Sequence, residues 1–275
     1  MRQAAIMPED DGGSTDFHGP TARGRMIRWV VPAYDEAASI EPLIDQMAAV
    51  SARCGWRYSI LVVDDGSSDQ TGTLARAKGA DLPVEVVRNE PNQGLGRTIR
   101  RGLRVAADTS GADDVIVTLD ADLTQDPAYA EAMLTKLDDG FDVVIASRYR
   151  KHSAVEGLSP LRHVLSYGAS GLVLLFSPIK GVRDYSCGFR AYRASVVQAA
   201  FERYGDDFVS ESGFGCMVEI AERLRGDARF AEVPFVLYYG AKRKASAIKI
   251  LPTIGAYFRV ISRVARDRRK QRHGS

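Results

Sequence analysis

The residues of this chain best suited to chemistry are carboxylates. Asp120 and Asp122 stand one residue apart in Leu119-Asp120-Ala121-Asp122-Leu123-Thr124-Gln125-Asp126-Pro127, at the end of an apolar run. Two more acidic groups follow similar runs: Asp35 and Glu36 after residues 27–31, and Asp64, Asp65 and Asp69 after residues 60–63. Paired carboxylates suit hard divalent cations such as Mg²⁺ or Mn²⁺, which prefer oxygen ligands. A cation held there can act as a Lewis acid on a phosphate leaving group. One acidic cluster after a strand is unremarkable, because Asp forms turns and caps helices. Three in succession need a scaffold that brings them together.

The surrounding pattern supplies one. Apolar, β-branched runs at 27–31, 60–63, 84–87, 115–119 and 143–146 read as short buried strands. Between them, 37–52, 71–78, 95–107 and 128–137 carry helical spacing. Strand and helix alternating in this way imply right-handed crossovers and a mostly parallel sheet covered on both faces. Ligands of such sheets sit beyond the carboxyl ends of the strands, where all three acidic groups fall. The second half reads differently: a helix over 161–176, a loop over 181–190, helices from Ser195 and over 213–224, and a strand over 231–239. A last amphipathic helix starts near Ile248 and runs into a basic tail containing Arg266, Arg268, Arg269, Lys270 and Arg272.

Composition narrows the functional classes. The chain has 275 residues, 45% hydrophobic and 26% charged, with a net charge of +2. That is an ordinary globular balance and gives no global reason to expect a nucleic-acid partner. Cys54, Cys187 and Cys216 are scattered without metal-ligand spacing and read as reduced thiols of a cytosolic protein. No run reaches the roughly 18–20 apolar residues that crossing a bilayer requires. Residues 1–25 are expected to form a disordered leader without a signal-peptide core. The expected location is therefore cytoplasmic, at the inner face of a membrane if the basic tail meets anionic head groups.

Five strings carry a family resemblance. V-V-P-A-Y-D-E (30–36), V-V-D-D-G-S-S-D (62–69), L-D-A-D-L-T-Q-D-P (119–127), A-S-R-Y (146–149) and D-Y-S-C-G-F-R-A-Y-R (184–193) occur in this order. Together they resemble the family 2 inverting glycosyltransferases, most closely the dolichol- or polyprenyl-phosphate sugar synthases, over about residues 26–260. The resemblance implies a single GT-A-like α/β domain, with a mostly parallel sheet flanked by helices and a C-terminal amphipathic helix. Residues 26–247 would be the catalytic unit, 26–150 its nucleotide-binding half and 151–247 its acceptor half, followed by the helix and tail of 248–275.

The resemblance also implies roles. Pro32, Tyr34, Glu36, Asp64, Asp65, Asp120, Ala121 and Asp122 would bind the nucleotide-sugar donor. Asp120 and Asp122 would hold a divalent cation, Mg²⁺ or Mn²⁺. The relatives' further Gln ligand falls on Thr124 here, with Gln125 one residue later. Either water completes the metal shell or Gln125 reaches it through a shifted loop. Arg148, Arg162 and Ser166 would grip the phosphate of a polyprenyl-phosphate acceptor, a task suited to the fork of a guanidinium. Asp184 would act as a catalytic base, or order the acceptor loop beside Arg190.

Two positions depart from the pattern: Tyr238 stands where an Arg is expected, and Ala247 where a Lys follows Ser. Lys242, Arg243, Lys244 and Lys249 offer charge nearby. These departures keep a second acceptor class open, a hydroxyl on a saccharide or small metabolite. A nucleotidyltransferase is disfavoured, because Pro32-Ala33-Tyr34 stands where its glycine-rich phosphate loop would follow the first strand. A non-catalytic nucleotide-sugar binder is the remaining class.

Overall fold

A computed structural model of the chain describes residues 24–157, 171, 173–238 and 250–273. Most of the expected leader lies outside these residues, as do Arg162, Ser166, Lys242 and Ala247.

The first half builds the expected alternation. Strand β1 (Met26–Ala33) leads to helix α1 (Ile40–Arg53), β2 (Arg57–Asp64), α2 (Thr71–Lys78), β3 (Val84–Arg88), α3 (Leu95–Asp108), β4 (Val115–Thr118), α4 (Ala130–Asp138) and β5 (Val143–Ser147). Each helix buries one stripe. In α1, Ile40, Leu43, Ile44, Met47 and Val50 recur at three- and four-residue spacing and face the sheet. Gly102 lets α3 lie close on the sheet, since a Cβ there would come within 2.4 Å of a Val30 methyl.

The second half adds β6 (Ala154–Glu156), β7 (Arg190–Arg193), α5 (Ala194–Tyr204), α6 (Cys216–Leu224), β8 (Phe230–Pro234), β9 (Val236–Tyr238) and α7 (Ile250–His273). Among the described residues, seven strands form one sheet in the order β3-β2-β1-β4-β7-β5-β8. β7 alone in this sheet runs antiparallel, to both β4 and β5. β6 and β9 pair in parallel as a separate ribbon. The single strand expected over 231–239 is thus two strands in two sheets, with the division following Pro234. Proline has no N–H to give a ladder, so the chain leaves the main sheet there.

The chain moves outward from β1 to β3, then returns to lay β4 on the other side of β1. The strand order reverses between β1 and β4, and the carboxyl ends at such a reversal open into a crevice. Pro32 ends one strand and Asp120 follows the other. The core beneath is fully buried, including Trp29, Val30, Val117, Val144 and Phe189. Each such side chain stabilises the fold by about 1.5–3 kcal/mol.

Helix α7 packs on α6. It buries Ala256, Tyr257, Val260 and Val264, and Arg263 donates to Glu219 at 3.0 Å. Arg223 of α6 returns the contact with a 2.7 Å bond to Asp267. Among the described residues, no helix is long and apolar enough to cross a membrane.

Candidate active site

Asp120 and Asp122 begin the loop after β4, and its internal bonds fix both carboxylates. Gln125 turns its amide back on Asp120: Nε2 donates to Oδ2 at 2.8 Å, and Oε1 accepts from the Asp120 backbone N–H at 3.0 Å. The Thr124 hydroxyl donates to Asp122 Oδ1 at 2.6 Å. Between them Leu123 sits at φ 62°, left-handed backbone that costs an ordinary residue about 1–2 kcal/mol. The bonds on either side hold it there, as does the Tyr238 N–H, which donates to the Thr124 carbonyl at 3.0 Å. Tyr238 therefore tethers this loop through its backbone, and its ring is exposed.

The loop before β7 closes on the same place. The Thr118 hydroxyl donates to the Gly188 carbonyl at 2.7 Å. A Cβ on Gly188 would lie 3.0 Å from Asp120 Oδ1, so a side chain there would crowd that oxygen. Arg190 fastens the loop from beneath. It is fully buried and donates to the carbonyls of Cys187, Tyr185 and Met217 at 2.7–2.9 Å.

The other end of this loop holds Asp184, fully buried against Arg148. Arg148 Nε donates to Oδ2 at 2.8 Å and Nη2 to Oδ1 at 2.7 Å, while its backbone N–H reaches Oδ2 at 3.0 Å. Cys187 N–H adds a bond to Oδ1 at 3.1 Å. Burial alone would raise the Asp184 carboxyl, but the charge and hydrogen bonds of Arg148 outweigh it and hold the carboxyl below its ordinary value. Arg148 Nη2 also donates to Ser186 Oγ at 2.6 Å. Tyr257 of α7 is buried against this group, and burial pushes its hydroxyl up to about 12 despite a hydrogen bond to Ser186.

One residue the sequence did not single out supports the loop. Glu232 of β8 accepts the N–H groups of Arg183 and Asp184 at 2.6 and 2.7 Å, and Arg150 Nε at 2.7 Å. The signal available was a lone acid inside the apolar run Phe230-Ala231-Glu232-Val233.

The residues expected on the donor side differ in their surroundings. Tyr34 is 48% exposed at the end of β1, Pro32 and Ala121 are buried, and Glu36 accepts the Ser39 hydroxyl at 2.7 Å. Asp64 and Asp65 both brace neighbouring loops. Asp64 pairs with Arg88 and accepts the Ser67 N–H at 2.9 Å. Asp65 accepts the Asn89 side chain and the N–H groups of Gln93 and Gly94 at 2.8–3.0 Å. Arg162 and Ser166 lie outside the described residues.

The donor set at Asp120 and Asp122 fits a hard divalent cation: all-oxygen carboxylates, fixed by their neighbours, beside a glycine cradle that a side chain would fill. Among the described residues there is no group of three or more His, Cys, Asp or Glu side chains that could hold a metal.

The family model described as Glycosyl transferase family 2 matches residues 29–201. A dolichol-phosphate mannosyltransferase of Pyrococcus furiosus is 30% identical over 237 residues, 86% of this chain and 62% of that protein. An undecaprenyl-phosphate 4-deoxy-4-formamido-L-arabinose transferase of Klebsiella pneumoniae is 33% identical over 179 residues, 64% of this chain and 51% of that protein. The chain thus spans about three-fifths or less of these relatives' length. Among solved structures, mannosyl-3-phosphoglycerate synthase from Rubrobacter xylanophilus superposes with a TM-score of 0.61 at 23% identity, covering 89% of this chain and 75% of that one. Glucosyl-3-phosphoglycerate synthase from Mycobacterium tuberculosis, in complex with Mn²⁺, UDP and phosphoglyceric acid, gives 0.59 at 22% identity, covering 90% and 80%. At these identities the structural likeness concerns the fold.

Proposed function

We propose, from the premise that the chain belongs to glycosyl transferase family 2, that it moves a sugar from a nucleotide-diphosphate sugar to a polyprenyl-type lipid phosphate. The observation that carries this reading is the loop from Asp184 to Arg190. Gly188, near one end, lies where an added Cβ would meet Asp120 Oδ1 at 3.0 Å, and Asp184, at the other, binds Arg148. In this reading a single short segment links the donor carboxylates to the arginine that would hold the acceptor.

On the donor side, Asp120 and Asp122 would hold the cation and diphosphate, kept in place by Gln125 and Thr124. Because the Gln125 amide is engaged with Asp120, this reading gives the metal two protein carboxylates, with water and phosphate oxygens as the rest of its shell. Bound there, the cation supplies Lewis-acid neutralisation of the leaving diphosphate. Tyr34 presents an exposed ring at the crevice for the base, and Pro32 and Glu36 shape the nucleoside side.

On the acceptor side, a lipid phosphate is already anionic near neutral pH and attacks without a general base. Its oxygen bonds to the anomeric carbon as the bond to the diphosphate breaks on the opposite face, so the configuration inverts. Arg148, kept charged and oriented by Asp184, would bind that phosphate with Arg162 and Ser166. A hydroxyl acceptor would need a base. Asp184 is buried, fully hydrogen-bonded and held below its ordinary value, which favours the loop-ordering role and the phosphate acceptor. Residues 26–247 form the catalytic unit in this reading, acting at the cytoplasmic face of a membrane.

The test is product analysis. A panel of UDP-, GDP- and dTDP-sugars is incubated with the protein, Mg²⁺ or Mn²⁺ and a short polyprenyl phosphate. Lipid-linked sugar of inverted configuration is the expected product; sugar recovered only on soluble alcohols would overturn the acceptor assignment.

A further inference from the structure

A second feature lies away from the carboxylate crevice. β8 is the edge of the main sheet, three strand positions from β4, or about 14 Å across the ladder. Along it runs a groove of about 1010 Å³. Six cationic side chains line it: Lys136, Arg150, Lys151, Lys180, Arg225 and Arg229. Glu232 is the acidic residue in the lining, and Arg150 already pairs with it. Lys136 pairs with Asp139, and Arg225 with Glu222. Lys151, Lys180 and Arg229 are exposed, and among the described residues no ion pair joins their side chains to a carboxylate, although the Arg229 guanidinium lies over the Phe141 ring, 5.2 Å from its centroid, and its backbone N–H donates to Asp142 at 2.8 Å. They come from three separate segments, so their convergence is a product of the fold and not of a basic run.

The floor is apolar, with Phe141, Ile179 and Phe230 beneath the cations. The segment entering the groove at Pro178 is also preceded by exposed apolar side chains: Leu174 at 40%, Leu175 at 74% and Phe176 at 62%. Phe176 meets Phe258 of α7 edge-on, with centroids 5.4 Å apart. A cation-rich surface with three side chains outside any ion pair, beside exposed large hydrophobics, is complementary to lipid head groups over acyl chains. A small soluble anion would account for the cations and leave the apolar neighbours without a partner.

We propose that this groove docks the chain on a membrane surface by holding the phosphate groups of anionic lipids. It also deepens the proposed function, on which its biological sense rests. Glu232, in the groove wall, supports the backbone of Arg183 and Asp184. Docking here therefore sets the acceptor loop at the lipid surface from which a lipid phosphate would be drawn.

The experiment is sedimentation of the full chain with phosphatidylcholine vesicles, with and without phosphatidylglycerol, without donor or polyprenyl phosphate. Partition should require the anionic lipid and weaken as salt rises. Lys180→Gln with Arg229→Gln should weaken it by about 25-fold, about fivefold for each cation. Lys151→Gln alone, on an exposed loop, should give about fivefold and serves if the double variant fails to fold. Neutralising Arg268, Arg269 and Lys270 in the tail should leave the groove's contribution in place. The proposal is overturned if the groove variants partition like the parent while the tail variant loses binding, or if neutral vesicles bind as well. Displacement by glycerol phosphate at equal ionic strength would assign the groove to a soluble phosphate instead. A chain that docks but transfers nothing would sink the acceptor reading alone, and one that transfers to detergent-dispersed lipid without docking would sink this inference alone.

Discussion

Arg148 grips both carboxylate oxygens of Asp184, at 2.8 and 2.7 Å, in a pair from which solvent is almost excluded. The two lie 36 residues apart in sequence, one after β5 and one in the loop leading to β7. Removing one partner of such a pair leaves the other charged, buried and uncompensated.

Asp184→Asn should therefore lower unfolding stability by about 3–5 kcal/mol, read from the urea midpoint. Its pH signature has a definite sign. The folded carboxyl lies below its ordinary value, so its contribution is present above the unfolded value of about 3.9 and is lost as pH falls through the folded one. Parent stability should decline below about pH 4, and the Asn variant should lack that part of the slope. An unchanged acid profile would mean that the pair does not form in solution.

Gly188→Ala tests the geometry around Asp120 without removing a charge. The added methyl meets Asp120 Oδ1 at 3.0 Å, so the carboxylate must shift by a few tenths of an ångström. Turnover should fall by about ten- to a hundredfold, as expected for a misplaced reacting group, while thermal stability changes little. A variant with full activity would remove Asp120 Oδ1 from the working site.

Tyr257→Phe tests whether α7 is fastened to the loop of residues 184–190. Loss of the hydroxyl bonded to Ser186 should lower stability by about 1 kcal/mol at neutral pH. Burial pushes this hydroxyl up to about 12, so between the unfolded value near 10 and that value the folded chain holds a proton the unfolded chain has released. The stability it gives is complete below pH 10 and lost above it. Alkaline denaturation should accordingly be less steep in the Phe variant, and identical slopes would place the hydroxyl in solvent.

The five strands of the first half and their helices announce themselves through apolar runs and helical spacing, and Asp120 and Asp122 through their place after β4. β7 gives no strand signal, because Arg190-Ala191-Tyr192-Arg193 is short and carries two arginines, one of them fully buried. Its antiparallel insertion between β4 and β5 is a tertiary event with no local period to reveal it. Asp64 and Asp65 were legible as strand-end acids, but their engagement with Arg88, Asn89 and the turn at Gln93 depends on a neighbouring strand. Glu232 escaped notice for the same reason: a carboxylate in a strand says nothing of the two N–H groups it meets across the fold.

The account stands most directly on one measurement: the rate of nucleotide diphosphate release from the cognate sugar donor, with and without polyprenyl phosphate, in the parent chain and in Asp122→Ala. The account predicts release that rises with the lipid phosphate, stops on chelation, returns with Mn²⁺ or Mg²⁺, and falls more than about a hundredfold in the variant. Release indifferent to polyprenyl phosphate, or undiminished in Asp122→Ala, would contradict it.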